Sequence, residues 1–318
     1  MRVFVLCFLI CLTAFSQSNL EKAKQLLADK SFYKAEQFLE AQVKLQPNNL
    51  EFIELLGDTY GHQKKWDEAI SNYKTLKVKK PLVANYHYKF GGAMGMKALL
   101  VNKFAALGLI GDIKDAFLTA AKLDPKHIDT RWALVELYMQ LPGIVGGSKS
   151  KSFKYANQLE ALNKVEGYLA KGYLYEYDNK PELAEKYYLL AIKEGGSLTC
   201  FDKLTDLYEA QKEPEKAVAN IEAANLKHHR NALHYQIGKV CAEYNVQLDK
   251  GEKFLLIYLE NYSTKDGVPK AWANYRLAQI YKYKNDLINA KKYIDLAIVE
   301  LPKIKVFKEE QLKILSIL

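Results

Sequence analysis

Bulky apolar residues return along this chain in short groups three or four positions apart, and one small residue interrupts most groups. Between Pro47 and Pro81 the bulky positions are Ile53, Leu56, Tyr60, Tyr73 and Leu76, and the small ones are Gly57 and Ala69. Such spacings place each group on one face of a helix, so the segment predicts a hairpin of two helices. The small residues would sit where the helices cross closely, and the tyrosines would fill the space toward the next hairpin. Proline closes the unit because it lacks an amide donor and disfavours helix in the residue before it.

The same register runs through the rest of the chain. An opening unit carries Ala23, Leu26, Ala35, Leu39 and Pro47. Later ones carry Tyr168, Gly172, Tyr175, Ala184, Tyr188 and Ala191, then Leu204, Tyr208, Ala217, Ile221 and Ala224. Two more follow, with Ile237, Gly238, Cys241, Gly251 and Leu255, and with Leu277, Ala278, Tyr281, Ala290, Ile294, Ala297 and Pro302. The 34 residues from Pro47 to Pro81, and the order of small and bulky positions between them, resemble the tetratricopeptide-repeat (TPR) family. The resemblance implies an all-α fold: a right-handed TPR α-solenoid of antiparallel helical hairpins with a C-terminal capping helix. About eight units are expected over 17–302, near 17–49, 50–83, 84–127, 128–164, 165–197, 198–230, 231–270 and 271–302. Residues 303–318, with Ile304, Phe307, Leu312 and Leu315 among lysines, suit the helix that covers the last hairpin's open face.

Two units depart from the pattern. The period stretches to 44 residues between Pro81 and Pro125, and the excess includes the apolar run Ala98 to Leu107. Either both helices of unit 84–127 are lengthened and bury each other, or the run is an exposed ridge that docks on a partner. It is too short to span a membrane. The next unit, 128–164, holds a glycine-rich insertion, Leu141-Pro142-Gly143-Ile144-Val145-Gly146-Gly147-Ser148-Lys149-Ser150. A long hairpin followed by a Pro-Gly-x-x-Gly-Gly loop is similar to a group of exported bacterial TPR proteins.

Composition bears on compartment. Arg2, the apolar run Val3 to Leu12 and Ala14-Phe15-Ser16 read as a signal peptide over 1–16, cut near Ser16. That reading makes the protein exported, and the Lys-, Tyr- and Asn-rich composition places it in the periplasm, or outside the cell, of a Gram-negative bacterium. Cys7 and Cys11 fall inside the apolar run. Cys200 and Cys241 remain, and the register offsets them along neighbouring helices by roughly 12 Å at about 1.5 Å per residue, beyond disulfide reach. Two free thiols are expected.

Candidate chemistry is sparse. The Gly143-to-Ser150 loop approaches a P-loop, but Ser148 replaces its last glycine and a helix, not a strand, precedes it. A connector capped by Ser150 or Ser152 suffices. His228, His229 and His234 are expected as solvated loop residues, since their spacing closes no tetrahedral metal site alone. No zincin, Cys-x-x-Cys or Gly-x-Ser-x-Gly motif occurs. The reading is therefore non-enzymatic, with no catalytic, cofactor or metal residues, although a carrier or enzyme built around the Pro-Gly loop stays open.

Charge gives more. The chain's formal charge is +9, yet the positions that line a TPR array's concave groove are acidic. They hold Glu51, Glu54, Asp58, Asp129, Glu136, Glu166, Glu176, Asp202, Asp206 and Glu209, against Lys24, Lys239 and Lys282. Tyr88, Trp132, Tyr173, Tyr235, Trp272 and Tyr275 interleave with them. Acids beside aromatics suit a protein or peptide segment bearing Lys or Arg and oppose nucleic acid. The excess lysines, Lys64, Lys65, Lys74, Lys77, Lys79, Lys80, Lys291 and Lys292, fall mostly on second helices and turns, where an anionic membrane surface could attract them.

The functional expectation is a protein- or peptide-binding scaffold of the cell envelope. Its groove residues are Glu54, Asp58, Trp132, Glu136, Tyr173, Asp206, Glu209, Trp272 and Tyr275. The alternative is a structural subunit of an envelope assembly, docked through the apolar extension at 98–107.

Overall fold

The structure is a computed structural model that describes residues 18–317. The segment 1–16, read from the sequence as a signal peptide, lies with Cys7 and Cys11 outside the described residues. Within them the regular structure is helical. The first helix, α1, covers 18–28. It is followed by α2 (Phe32–Leu45), α3 (Leu50–His62), α4 (Trp66–Lys79), α5 (Ala84–Ala98), α6 (Lys103–Leu123), α7 (Ile128–Gln140) and α8 (Lys149–Leu162). These eight form one compact unit. A second unit holds α9 (Lys164–Tyr177), α10 (Pro181–Glu194), α11 (Leu198–Ala210), α12 (Pro214–His228), α13 (Asn231–Tyr244), α14 (Leu248–Glu260), α15 (Lys270–Tyr283), α16 (Leu287–Glu300) and α17 (Lys305–Leu315).

Each odd helix through α15 pairs with the even helix after it, and in six of the eight hairpins the turn is the same. Lys30, Lys64, Asn179, Lys212, Asn245 and Asn285 take left-handed backbone with φ between 54° and 61°. The next residue's amide then reaches the carbonyl five positions back: Lys65 to Tyr60, Glu213 to Tyr208 and Asp286 to Tyr281, each at 2.9 Å. This is a Schellman closure, made here with Lys and Asn. The two exceptions are α5–α6 and α7–α8, the hairpins that carry the insertions.

The small positions have a clear physical role. A Cβ on Gly57 would stand 2.7 Å from the Tyr73 ring, and one on Gly172 would stand 2.2 Å from Tyr188. Glycine therefore lets an aromatic of the second helix lie flat on the first helix of its own hairpin. Tyr73 then donates its hydroxyl to Asp58 at 2.7 Å, and Tyr188 donates to Glu176 at 2.7 Å. The tyrosine near each first helix's end points the other way. Tyr60 donates to Glu40, Tyr208 to Glu185 and Tyr281 to Glu252, each at 2.7–2.8 Å and each to the preceding hairpin. Tyr60 thus joins its hairpin to the preceding one rather than to the next as expected, whereas Tyr73 serves mainly within its own.

In the first unit Leu39, Phe52, Leu76, Phe117 and Leu134 belong to one buried core. In the second, Leu255, Tyr258, Leu277 and Ile280 make one cluster. Ala290, Ile294, Phe307 and Ile314 make another, which seats α17 on the last hairpin. Cys200 and Cys241 are free thiols buried in α11 and α13.

The extended hairpin corrects one reading. α5 has 15 residues and α6 has 21, so the second helix takes nearly all the extra length. The two helices do not bury the apolar run between them. Leu99 and Leu100 are exposed in the turn, and Phe104, at the start of α6, is 88% exposed.

Candidate functional site

The predicted groove residues lie on the first helices of the hairpins, and each unit is taken by itself. In the first unit, Glu51, Glu54 and Asp58 are spaced along one face of α3. With Leu20 and Lys24 of α1 and Leu55 they line a shallow cleft of about 170 Å³. On the opposite side α5 supplies Lys89, whose Nζ lies 2.7 Å from Glu54 Oε1 and 2.7 Å from Asp58 Oδ1. Asn85 also donates to Glu54 at 3.1 Å. Burial works against the Lys89 ammonium, but Asp58 and Glu54 outweigh it and raise its pKa.

On α7, Trp132 is half-buried and Glu136 is exposed. Burial pushes the Tyr88 pKa up, and the charges of Asp129 and Glu136 add to the effect, so these α7 carboxylates face the α5 aromatic. Tyr88 also sits 5.2 Å from the His127 ring and 6.1 Å from Phe117.

In the second unit, Tyr173 of α9 stands beside Tyr177, with ring centres 6.1 Å apart. Glu176, on the same helix, accepts the Tyr188 hydroxyl. Asp202 and Asp206 are exposed one turn apart on α11, and neither has an ion-pair partner among the described residues. Crowding of the Asp202 carboxyl, then the charge of Asp206, raises the Asp202 pKa. Glu209 differs: Lys239 of α13 lies 3.4 Å away and also reaches Glu243 at 3.6 Å. Arg276 of α15 binds Glu243, and Lys282 binds the buried Glu310 of α17. Charge thus links α3 to α5 in the first unit, and α11 to α13, α13 to α15 and α15 to α17 in the second. Trp272 and Tyr275 meet Phe307 of α17 at 4.9 and 5.1 Å, so these rings help seat the terminal helix.

Three sequence expectations change. The first-helix faces hold more base than Lys24, Lys239 and Lys282, because Lys89 on α5 and Arg276 on α15 also reach carboxylates there. Both stand one position past a groove tyrosine, Tyr88 and Tyr275, and their long side chains bring the charge back. Opposite charges 28 to 33 residues apart, near the repeat length, are the signal that finds these pairs. The histidines are not simply solvated. His228 bonds the Gly196 carbonyl at 2.9 Å, and His234 bonds Asn231 and Asn225 and stacks on Phe254. His229 makes a left-handed turn after α12. Lastly, Ser148 caps α8 by accepting the Lys151 amide, while Ser152 is buried and donates to the Val135 carbonyl.

The Pro-Gly loop follows a helix and folds into one 3-10 turn, Gly143–Val145. Gly146 is left-handed, with φ 97°, and a Cβ on Gly147 would fall 1.7 Å from the Leu141 carbonyl oxygen. Its glycines therefore answer to backbone packing. Among the described residues, no three His, Cys, Asp or Glu side chains gather as a metal site.

Comparison with known proteins agrees with this architecture. Residues 165–194 and 273–298 match the tetratricopeptide repeat family model. A thermophilic TPR protein of Thermus thermophilus superposes with a TM-score of 0.51 at 19% identity, over 61% of this chain and 98% of that one. A tetratricopeptide repeat protein of Parabacteroides merdae gives 0.48 at 15% identity, over 94% and 98%. The pilF protein of Pseudomonas aeruginosa gives 0.43 at 14% identity, over 70% and 97%. No curated protein matches in sequence. The fold is an all-α TPR solenoid of antiparallel hairpins, and the family matches with the structural likeness support the TPR family. TPR arrays serve as scaffolds that bind proteins or peptides. No described helix is long and apolar enough to cross a membrane.

Proposed function

We propose that this protein is a non-enzymatic scaffold of the cell envelope that holds basic segments of a protein or peptide on its acidic, aromatic first-helix faces. The observation that carries the reading is the pair Asp202 and Asp206. Glu54, Asp58 and Glu209 are matched by lysines of the chain itself, but this pair is exposed and makes no ion pair among the described residues, Lys203 offsetting Asp202 only in part. Two like charges one turn apart repel, and a lysine or arginine from outside relieves that repulsion. Tyr173 offers a ring for cation–π contact on the same unit. The cleft beside Glu51, Glu54 and Asp58 is a second, weaker place for a basic side chain. Export to the periplasm rests on the signal segment read from the sequence.

Fluorescence anisotropy with labelled heptalysine and heptaglutamate tests this. Heptalysine is expected to bind, more weakly as salt rises, and heptaglutamate to stay free. Asp202→Asn with Asp206→Asn should weaken heptalysine about twofold to fivefold per carboxylate. Equal binding by the native and double-variant proteins would overturn the assignment.

A further inference from the structure

The two insertions that break the repeat also break its turn geometry, and both leave large apolar residues in water. At the α5–α6 turn, Leu99 is 71%, Leu100 68% and Phe104 88% exposed; in the Pro-Gly loop Ile144 is 95% exposed. Both places border α6. Gly146 lies so close to α6 that a Cβ there would stand 3.5 Å from the Lys114 Nζ. The start of α6, from Lys103 to Asp112, continues past that point by about 15 Å at 1.5 Å per residue. The result is one projection with Leu99, Leu100 and Phe104 at its tip and Ile144 at its foot.

Charge says what covers it. From Ala69 to Gly111 the chain has no acidic residue and seven lysines, and from Leu137 to Leu159 no acidic residue and three lysines. Both insertions lie inside these acid-free stretches, although the first-helix faces of the same unit carry carboxylates. Lys103 flanks the tip, and Lys149 and Lys151 follow the loop, all three exposed. A convex apolar tip needs a deep complementary pocket on a folded partner, whereas fluid lipid accepts any shape. Apolar side chains flanked by lysines, with the nearby Asp67 held in an ion pair by Lys97, are the arrangement that enters the headgroup region of an anionic bilayer.

We propose that this projection is a membrane-docking element that inserts Leu99, Leu100 and Phe104 into an anionic lipid surface, with Ile144 and the flanking lysines held at the headgroups. It docks on the surface without crossing, and it is independent of the acidic faces.

Flotation with vesicles of phosphatidylcholine containing about 30% phosphatidylglycerol, against phosphatidylcholine alone, tests the proposal on the whole chain. The expected result is flotation with the anionic vesicles that falls as salt rises. Leu100→Asp with Phe104→Asp should weaken it at least about tenfold, since each residue loses its apolar burial, and Ile144→Asp should weaken it less. Lys103→Gln should cost about fivefold. The substituted side chains are exposed, so unchanged circular dichroism is expected in every variant. Absence of flotation by the native protein would overturn the proposal. So would native flotation that Leu100→Asp with Phe104→Asp leaves intact. Sedimentation showing a native dimer that these changes convert to monomer, with no lipid binding, would reassign the tip to a protein interface.

Discussion

Lys89 reaches from α5 to Asp58 on α3 and holds its ammonium 2.7 Å from the carboxylate, while Tyr73 donates to the same oxygen from α4. One carboxylate therefore ties three consecutive helices. Replacing Lys89 with Met leaves Glu54 and Asp58 without their cation and should destabilise the first unit by about 1.5–3 kcal/mol. Because the folded pKa of Lys89 is raised, its stabilisation is complete below the unfolded value of 10.5 and is lost as pH climbs through the higher folded value. Denaturant midpoints at about pH 7 and pH 11 check this. The gap between native and variant should be wide at the first pH and should have begun to close at the second, above the unfolded value of 10.5.

Gly172 and Tyr188 make a second test. Alanine at 172 forces its Cβ into the ring at 2.2 Å, and Tyr188 is fully buried with nowhere to retreat. Gly172→Ala should cost about 1–3 kcal/mol by overpacking. Tyr188→Phe, which keeps the ring and removes only the bond to Glu176, should cost about 1 kcal/mol. Thermal unfolding of both variants gives the order. If Tyr188→Phe proved the more damaging, the hydroxyl rather than the close approach would hold the hairpin.

Phe307 is fully buried between Trp272 and Tyr275. Phe307→Ala should remove about 3–5 kcal/mol, concentrated in the last hairpin and α17. Hydrogen exchange should show 287–315 losing protection while α9 to α11 keep theirs. Uniform loss would mean that the second unit unfolds only as a whole.

Burial raises the Cys241 thiol to about 11. At about pH 8 it is protonated as well as enclosed, so it should react with a disulfide reagent only at the rate the hairpin opens. As reagent concentration rises, labelling of the native protein should level off at the opening rate, and urea should accelerate it.

The hairpins were legible because their signals are local. Gly57, Ala69 and Pro81 mark a crossing and a stop within one repeat, and helix propensity, period and proline all agree there. The left-handed turns at Lys30, Lys64 and Lys212 were not legible, since lysine carries no turn preference and only the fold imposes φ near 60°. The site was half legible. The acids fell where the register put them, but their partners Lys89 and Arg276 come from the next repeat and from one position off the groove column, so charge counting on the column alone overstated free acidity. The extended hairpin stayed open for another reason: an apolar run of that length reads equally as core or as exposed tip, and only the neighbours decide.

The central claim is that partners sit on the acidic first-helix faces. A photo-crosslinking residue placed at Tyr173, and separately at the exposed Leu226 of α12, tests it most directly in cells producing each variant. The account predicts a discrete protein or peptide adduct from position 173 that disappears when Asp202 and Asp206 are changed to Asn, and none from 226. Adducts that are identical at both positions, or that survive loss of both aspartates, would contradict it.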